Sequence, residues 1–294
     1  MGTRAYGAVL AAGLLAVTVS LAGCGEDGPA LVADGKAPPA PYAGALDDPG
    51  REPTEKDGED PAPKAMLEMS GAAGKALECD GAIYSGGPEG GYSKGDAGES
   101  PEDGLAHYFD HNGSEQPPYS FRVEARRDGR VLYSYDVKGR TKHAVVVAKD
   151  SPNRPGWGPE TAAQCDPAEF TPAVTDAMGL EIWHDRDGRR VPTTKVSSNP
   201  GSDHCGWESA YFISTDSPSH GGRERLYARD PKGVLNEDML SSPYDGDTRM
   251  PDDAKDTGYR FKDWKLWLAA DKKTAYVRTP DGVEAWPTMK GGCA

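Results

Sequence analysis

The sequence predicts an α+β fold of antiparallel meander sheets with few helices, two disulfides and a disordered N-terminal tether. Three observations carry the fold class. Short runs of alternating apolar and polar residues recur after residue 120, and several are joined by pairs such as Asp128-Gly129 that close tight hairpins. Candidate strands outnumber candidate helices. Their connections are short hairpins rather than helical crossovers, which argues against a doubly wound sheet.

Taken in order, residues 77–85 read as a strand, followed by a Gly-rich loop through Gly98. Ser100-Pro101-Glu102-Asp103 opens a helix to about Asp110, with Ser as cap, Pro at the first position and acids against the dipole. Residues 121–126, 131–137 and 141–148 form a meander turning at Asp128-Gly129 and Gly139. Residues 180–184 and 190–196 flank Asp185-Arg186-Asp187-Gly188 as a further hairpin. Asp203 caps a short helix through Trp207 and Phe212, and residues 225–228 are a short strand. Residues 264–269, 274–278 and 283–286 close the chain as a second meander. This divides the head into two α+β parts, 66–170 and 171–294.

Composition narrows the function classes. The chain has 294 residues, 36% of them hydrophobic, with 37 Gly and 25 Pro. That is enough for one or two modest cores, with part of the chain contributing nothing to them. Formal net charge is −14, a sign that repels phosphate backbones and disfavours a nucleic-acid partner.

The N-terminus reads as an address. Arg4 is the only charged side chain before a long uncharged stretch ending in Leu21-Ala22-Gly23-Cys24. A basic start, an apolar run and small residues before a cut site describe an export signal. Leu-Ala-Gly-Cys resembles the lipobox of bacterial lipoproteins. That resemblance implies that residues 1–23 are removed and that Cys24 carries diacylglycerol, with fatty acyl chains such as palmitate, on the outer face of the cell membrane. From 24 to 65 the chain holds eight prolines and ten acids against four bases. Such a segment reads as a disordered tether, spanning on the order of 35 Å.

With Cys24 assigned to lipid, Cys79, Cys165, Cys205 and Cys293 form an even set in an exported chain, which reads as two disulfides with three connectivities open. The pairing Cys79–Cys165 and Cys205–Cys293 is the simplest, because each loop then closes one part of the head.

Other motifs are weighed against blander readings. Gly91-Tyr92-Ser93-Lys94-Gly95 matches the Gly-x-Ser-x-Gly pattern of serine hydrolases, but no apolar strand leads directly into it. The same loop lacks the Gly-Lys-Ser/Thr ending of a phosphate cradle. His107 and His111 are four apart without a zinc-protease pattern. Asp185-Arg186-Asp187-Gly188 and Asp245-Gly246-Asp247 hint at calcium but lack the closing Glu of an EF-hand. Trp183, Trp264 and Trp267 read as core residues before they read as a sugar platform. No catalytic, metal or cofactor residue is assigned.

The segments Cys165-Asp166-Pro167-Ala168-Glu169-Phe170, Cys205-Gly206-Trp207-Glu208-Ser209, Tyr227-Ala228-Arg229-Asp230-Pro231 and Leu266-Trp267-Leu268 resemble a group of actinomycete lipoproteins and secreted proteins of unknown function. The resemblance implies export and cysteine pairing, and no activity. The sequence therefore points to a binding or interaction module at the cell envelope, with an envelope protein or a glycan as partner. An envelope hydrolase using Ser93 or Glu208, and a structural accessory protein, are the alternatives.

Overall fold

The computed structural model describes residues 29–33, 40–58, 61–88, 97–111, 116–151, 154–216 and 224–290. Among the described residues, twelve strands form three antiparallel sheets, accompanied by four short helices. The largest sheet has the order β1-β5-β4-β3-β2. Its strands are β1 (Ile83–Pro88), β2 (Arg122–Arg127), β3 (Arg130–Val137), β4 (Arg140–Ser151) and β5 (Arg154–Cys165). The hairpin turns follow from local chemistry. Asp128 and Gly129 have φ of 49° and 70°, and Lys138 and Gly139 have 54° and 76°, the paired positive φ values of a two-residue turn matched to strand twist.

This sheet is covered on both faces. Val145, Val146 and Val147 are consecutive on β4 and all 0% exposed, which is expected only of a strand packed on two sides. On one face α1 (Pro63–Met69) and α2 (Gly71–Ala76) bring Met66, Met69, Ala72 and Ala73 onto Leu132, Ala144 and Val146. A Cβ on Gly86 of β1 would fall 2.1 Å from Ser70 Oγ, so the helix pair can close on that strand only over glycine. On the other face α3 (Pro101–His111) packs Leu105 and Phe109 against Val145 and Val147. Its start is the expected one. Ser100 Oγ accepts the Asp103 N–H at 3.1 Å, and Asp103 accepts the Ser100 N–H at 2.9 Å, a reciprocal capping box.

The second half of the head stacks two small sheets on a shared core, and a smaller cluster of Ala210, Phe212, Ala228, Leu235 and Leu240 covers the far side of one of them. β6 (Val196–Pro200), β7 (Tyr211–Thr215) and β8 (Arg225–Arg229) form one. β9 (Lys255–Phe261), β10 (Trp264–Leu268), β11 (Thr274–Thr279) and β12 (Gly282–Pro287) form the other. Trp183, Ile213, Tyr227, Leu266, Val277 and Trp286 fill the space between. Glu284 ties the sheets together. Its carboxylate takes the Arg229 guanidinium in two bonds of 2.7 and 3.0 Å and the Trp286 indole N–H at 2.8 Å.

Several expectations are corrected. Residues 40–58 do not form a free tether. Leu46 is 2% exposed in the first core, the Tyr42 N–H donates to Glu124 at 2.6 Å, and the Arg127 guanidinium binds the carbonyls of Tyr42, Ala43 and Gly44. Residues 29–33 also dock, with Val32 bridged in parallel to Phe121. Average composition missed single anchors, since one leucine and three captured carbonyls hold a polar segment. The helices α1 and α2 occupy residues before the expected strand, where the sequence predicts no element, and β1 starts at Ile83 rather than 77. The helix expected from Asp203 is one 3-10 turn, Asp203–Cys205, because Gly206 adopts φ 71° and stops it. Of the strand expected over 190–196, residues 190–195 make only an isolated bridge, His184 to Arg190, and Val196 opens β6. Past the expected divide at 170/171, α4 (Pro172–Ala177) places Val174 in the first core beside Phe170.

Cys79 and Cys165 form a disulfide with Cα atoms 5.4 Å apart. It is the single complete disulfide among the described residues. Cys205 is disulfide-bonded as well, while Cys293 lies outside the described residues.

Candidate functional site

The two halves of the head meet at a polar seam. Asp166, just past the end of β5, is buried and accepts the backbone N–H groups of Thr193 and Thr194 at 2.9 and 3.3 Å, with both threonine hydroxyls and the Ala168 N–H at 2.8 Å. Arg190 reaches back from the second half. Its guanidinium donates to the Phe170 carbonyl and, at 2.7 Å, to the Thr175 hydroxyl. Beside this seam opens a cleft of about 790 Å³.

Four chain segments wall the cleft: residues 80–82 before β1, the β3–β4 turn with Lys138, residues 166–172 after β5, and residues 190–195. Its floor is an ion network. Lys142, 2% exposed, donates to Glu169 at 2.6 Å, to the Glu78 carbonyl at 2.8 Å and to Asp80 at 3.4 Å. Glu169 also accepts the N–H groups of Asp80 and Gly81 at 2.7 and 3.0 Å. Arg140 pairs with Asp80, and that hydrogen bond holds the Asp80 carboxyl below its ordinary range. Ala82, Val137, Phe170, Pro172 and Pro192 give the walls an apolar component. Among the described lining residues there is no serine, cysteine or histidine.

The residues singled out in the sequence fall elsewhere. Cys24 and Ser93 lie outside the described residues. Glu208 is exposed and does not line the cleft. His143 is buried, with Nδ1 2.8 Å from the Tyr119 hydroxyl, and burial pushes its pKa down to about 3. It is a neutral core histidine. Asp185 is consumed by its own turn, accepting the N–H groups of Asp187 and Arg189, each at 2.9 Å, and the Arg189 side chain at 2.8 Å. Asp245 accepts the Asp247 N–H at 3.1 Å. Among the described residues, the one set of ligand atoms close enough to hold a metal is Cys79, Cys165 and Glu169. Its sulfurs are bonded to each other and its carboxylate is engaged by Lys142.

The tryptophans offer no bare platform for a sugar among the described residues. Trp183 and Trp286 are fully buried, and Trp264 packs against the same core. Trp267 lies on the outer face of β10, but the guanidinium carbons of Arg260 and Arg278 sit 5.5 and 5.2 Å from its ring centre. Sequence reasoning missed the cleft, although Lys138-Gly139-Arg140-Thr141-Lys142 places three cations within five residues of one hairpin. Among the described residues no helix is long and apolar enough to cross a membrane. Searches against protein-family models, curated proteins and solved structures returned no match for this chain.

Proposed function

We propose that this chain is an extracytoplasmic lipoprotein, held on the outer face of the cell membrane by a diacylglyceryl group on Cys24, whose head binds a ligand in the cleft beside Asp166 and Arg190. The cleft carries the binding half of this reading. It lies where two packed units meet, a preferred place for ligand seats, and its lining presents cations and apolar walls rather than a nucleophile with an adjacent base. The Leu21-Ala22-Gly23-Cys24 sequence carries the anchoring half. A second staple, Cys205–Cys293, completes the head.

Each half has its own test. Cys24→Ala should abolish incorporation of labelled fatty acid and leave an unprocessed precursor, and full labelling of that variant sinks the anchor. For the cleft, the intact chain in detergent micelles is screened for small solutes that raise its melting temperature. Ala82 is exposed and lines the cleft, so Ala82→Trp should fill it. Hits that survive Ala82→Trp unchanged place the ligand elsewhere.

A further inference from the structure

We infer that the cleft takes a small organic oxyanion, a carboxylate or phosphoryl group carried on an apolar body. This rests on the cleft being a ligand seat and specifies what sits there. Charge in the cleft is out of balance. Five cations line the cleft, namely Lys138, Arg140, Lys142, Arg190 and Lys195, against three carboxylates, Asp80, Asp166 and Glu169.

The carboxylates are all engaged internally. Glu169 and Asp80 pair with Lys142 and Arg140, and Asp166 accepts from Thr193, Thr194 and Ala168. Among the described residues, no carboxylate lies within ion-pair distance of Lys138, Arg190 or Lys195. Lys138 and Lys195 are exposed. Arg190 is half-buried and already fixed by Phe170 and Thr175. Those two bonds use part of a guanidinium that has five N–H groups, so a pre-set fork still has donors to offer.

The setting sharpens the contrast. A cleft of local charge +2 opens in a chain of formal net charge −14, and a low-dielectric recess concentrates that local field. Pro172, Val137 and Pro192 supply the surface for the rest of the solute. A carboxylate and a phosphoryl group share the oxyanion chemistry that these donors recognise, so the two sources are separated by experiment.

The intact chain in detergent micelles is titrated by calorimetry with phthalate, phenyl phosphate and the neutral benzamide. Both anions should bind and benzamide should not, and the better anion identifies the natural head group as carboxylate or phosphoryl. Lys138→Ala and Lys195→Ala, which break no hydrogen bond that holds the fold, should each weaken the anion by about three- to tenfold. Arg190→Gln should weaken it more, with a thermal melt confirming that the variant is folded. Lys265→Ala, on the outer face of β10, should leave binding unchanged. Raising the salt from 0.05 to 0.5 M should weaken binding further. Benzamide binding in the cleft while both anions fail overturns the oxyanion and keeps the ligand seat. Anion binding that ignores both lysine variants overturns the inference, and failure of all three probes removes it together with its premise.

Discussion

The two halves of the head solve the problem of covering a sheet in different ways. In the first, one five-stranded sheet is buried on both faces, by α1 and α2 on one side and α3 on the other. Its central strand is accordingly a run of valines. In the second, two smaller sheets cover each other, and β9–β12 keep one dry face, while β7 and β8 also bury Phe212 and Ala228 against Leu235 and Leu240 on their far side. On β10 Leu266 points in while Lys265 and Trp267 point out, and opposite them Val277 points in while Tyr276 and Arg278 point out. Residue pattern thus reports how many faces of a strand are covered. Valine repetition marks the two-sided strand, and alternation marks the one-sided ones.

The largest expected effect breaks the first half alone. Replacing Cys79 and Cys165 by Ala opens a loop with a sequence separation of 86 residues. In the chain-entropy model this removes up to about 4–5 kcal/mol. Urea unfolding followed by hydrogen exchange should show protection lost in β1–β5 and retained in β9–β12. Equal loss in both halves would mean that the seam at Asp166 and Arg190 makes them one cooperative unit.

A smaller effect tests two-sided burial. Leu105 and Leu132 are each 0% exposed on opposite sides of the first sheet, and Leu266 is 0% exposed in the second core. Each Leu→Ala change should cost about 2–5 kcal/mol. Leu105→Ala and Leu132→Ala should add, because the sheet separates their cavities. Strong non-additivity by denaturant titration would show the two faces to be coupled through the strands.

The effect that is smallest near neutral pH is graded by acid. His143 sits in the first half alone, with its pKa depressed to about 3 by burial. An unfolded histidine titrates near 6.5, so between these values the unfolded chain binds the additional proton. Stability contributed by neutral His143 is therefore complete above about pH 6.5 and falls as pH drops toward 3, by about 1.4 kcal/mol per pH unit. His143→Phe should flatten that slope in the first half and leave the second unaffected. An unchanged slope would assign the acid sensitivity to carboxylates.

What could be read from the sequence follows the range of the physics. The turns at Asp128-Gly129 and Lys138-Gly139 and the Ser100–Asp103 cap are set by neighbours in sequence, and they stand where expected. The strand β5 was hidden by Pro155, Gly156, Gly158 and Pro159, which punctuate it locally while the β4 partner carries it through two register shifts. Gly258, at φ 83°, obscured β9 in the same way. The helix α1 has only seven residues and α2 is six residues of Gly, Ala and Lys packed close to the sheet, so the pair carries almost no apolar periodicity. The cleft draws on four segments spread over more than 100 residues. Only tertiary contact shows which of its carboxylates are occupied and which cations remain.

The docked arm changes the mechanics of attachment. Val32 is bridged to Phe121, and the Ala33 N–H donates to the Phe121 carbonyl at 2.8 Å. Five peptide steps separate Cys24 from Pro29, where the described arm begins. Even fully drawn out they reach no more than about 18 Å. A lipid on Cys24 would therefore hold the arm's docking site, at the start of β2, within roughly one small-helix length of the bilayer surface. Such a head is moored rather than leashed. With that anchor its approach to the membrane would be restricted in angle, and what the cleft meets would be set by the few nanometres of solution next to the lipid head groups.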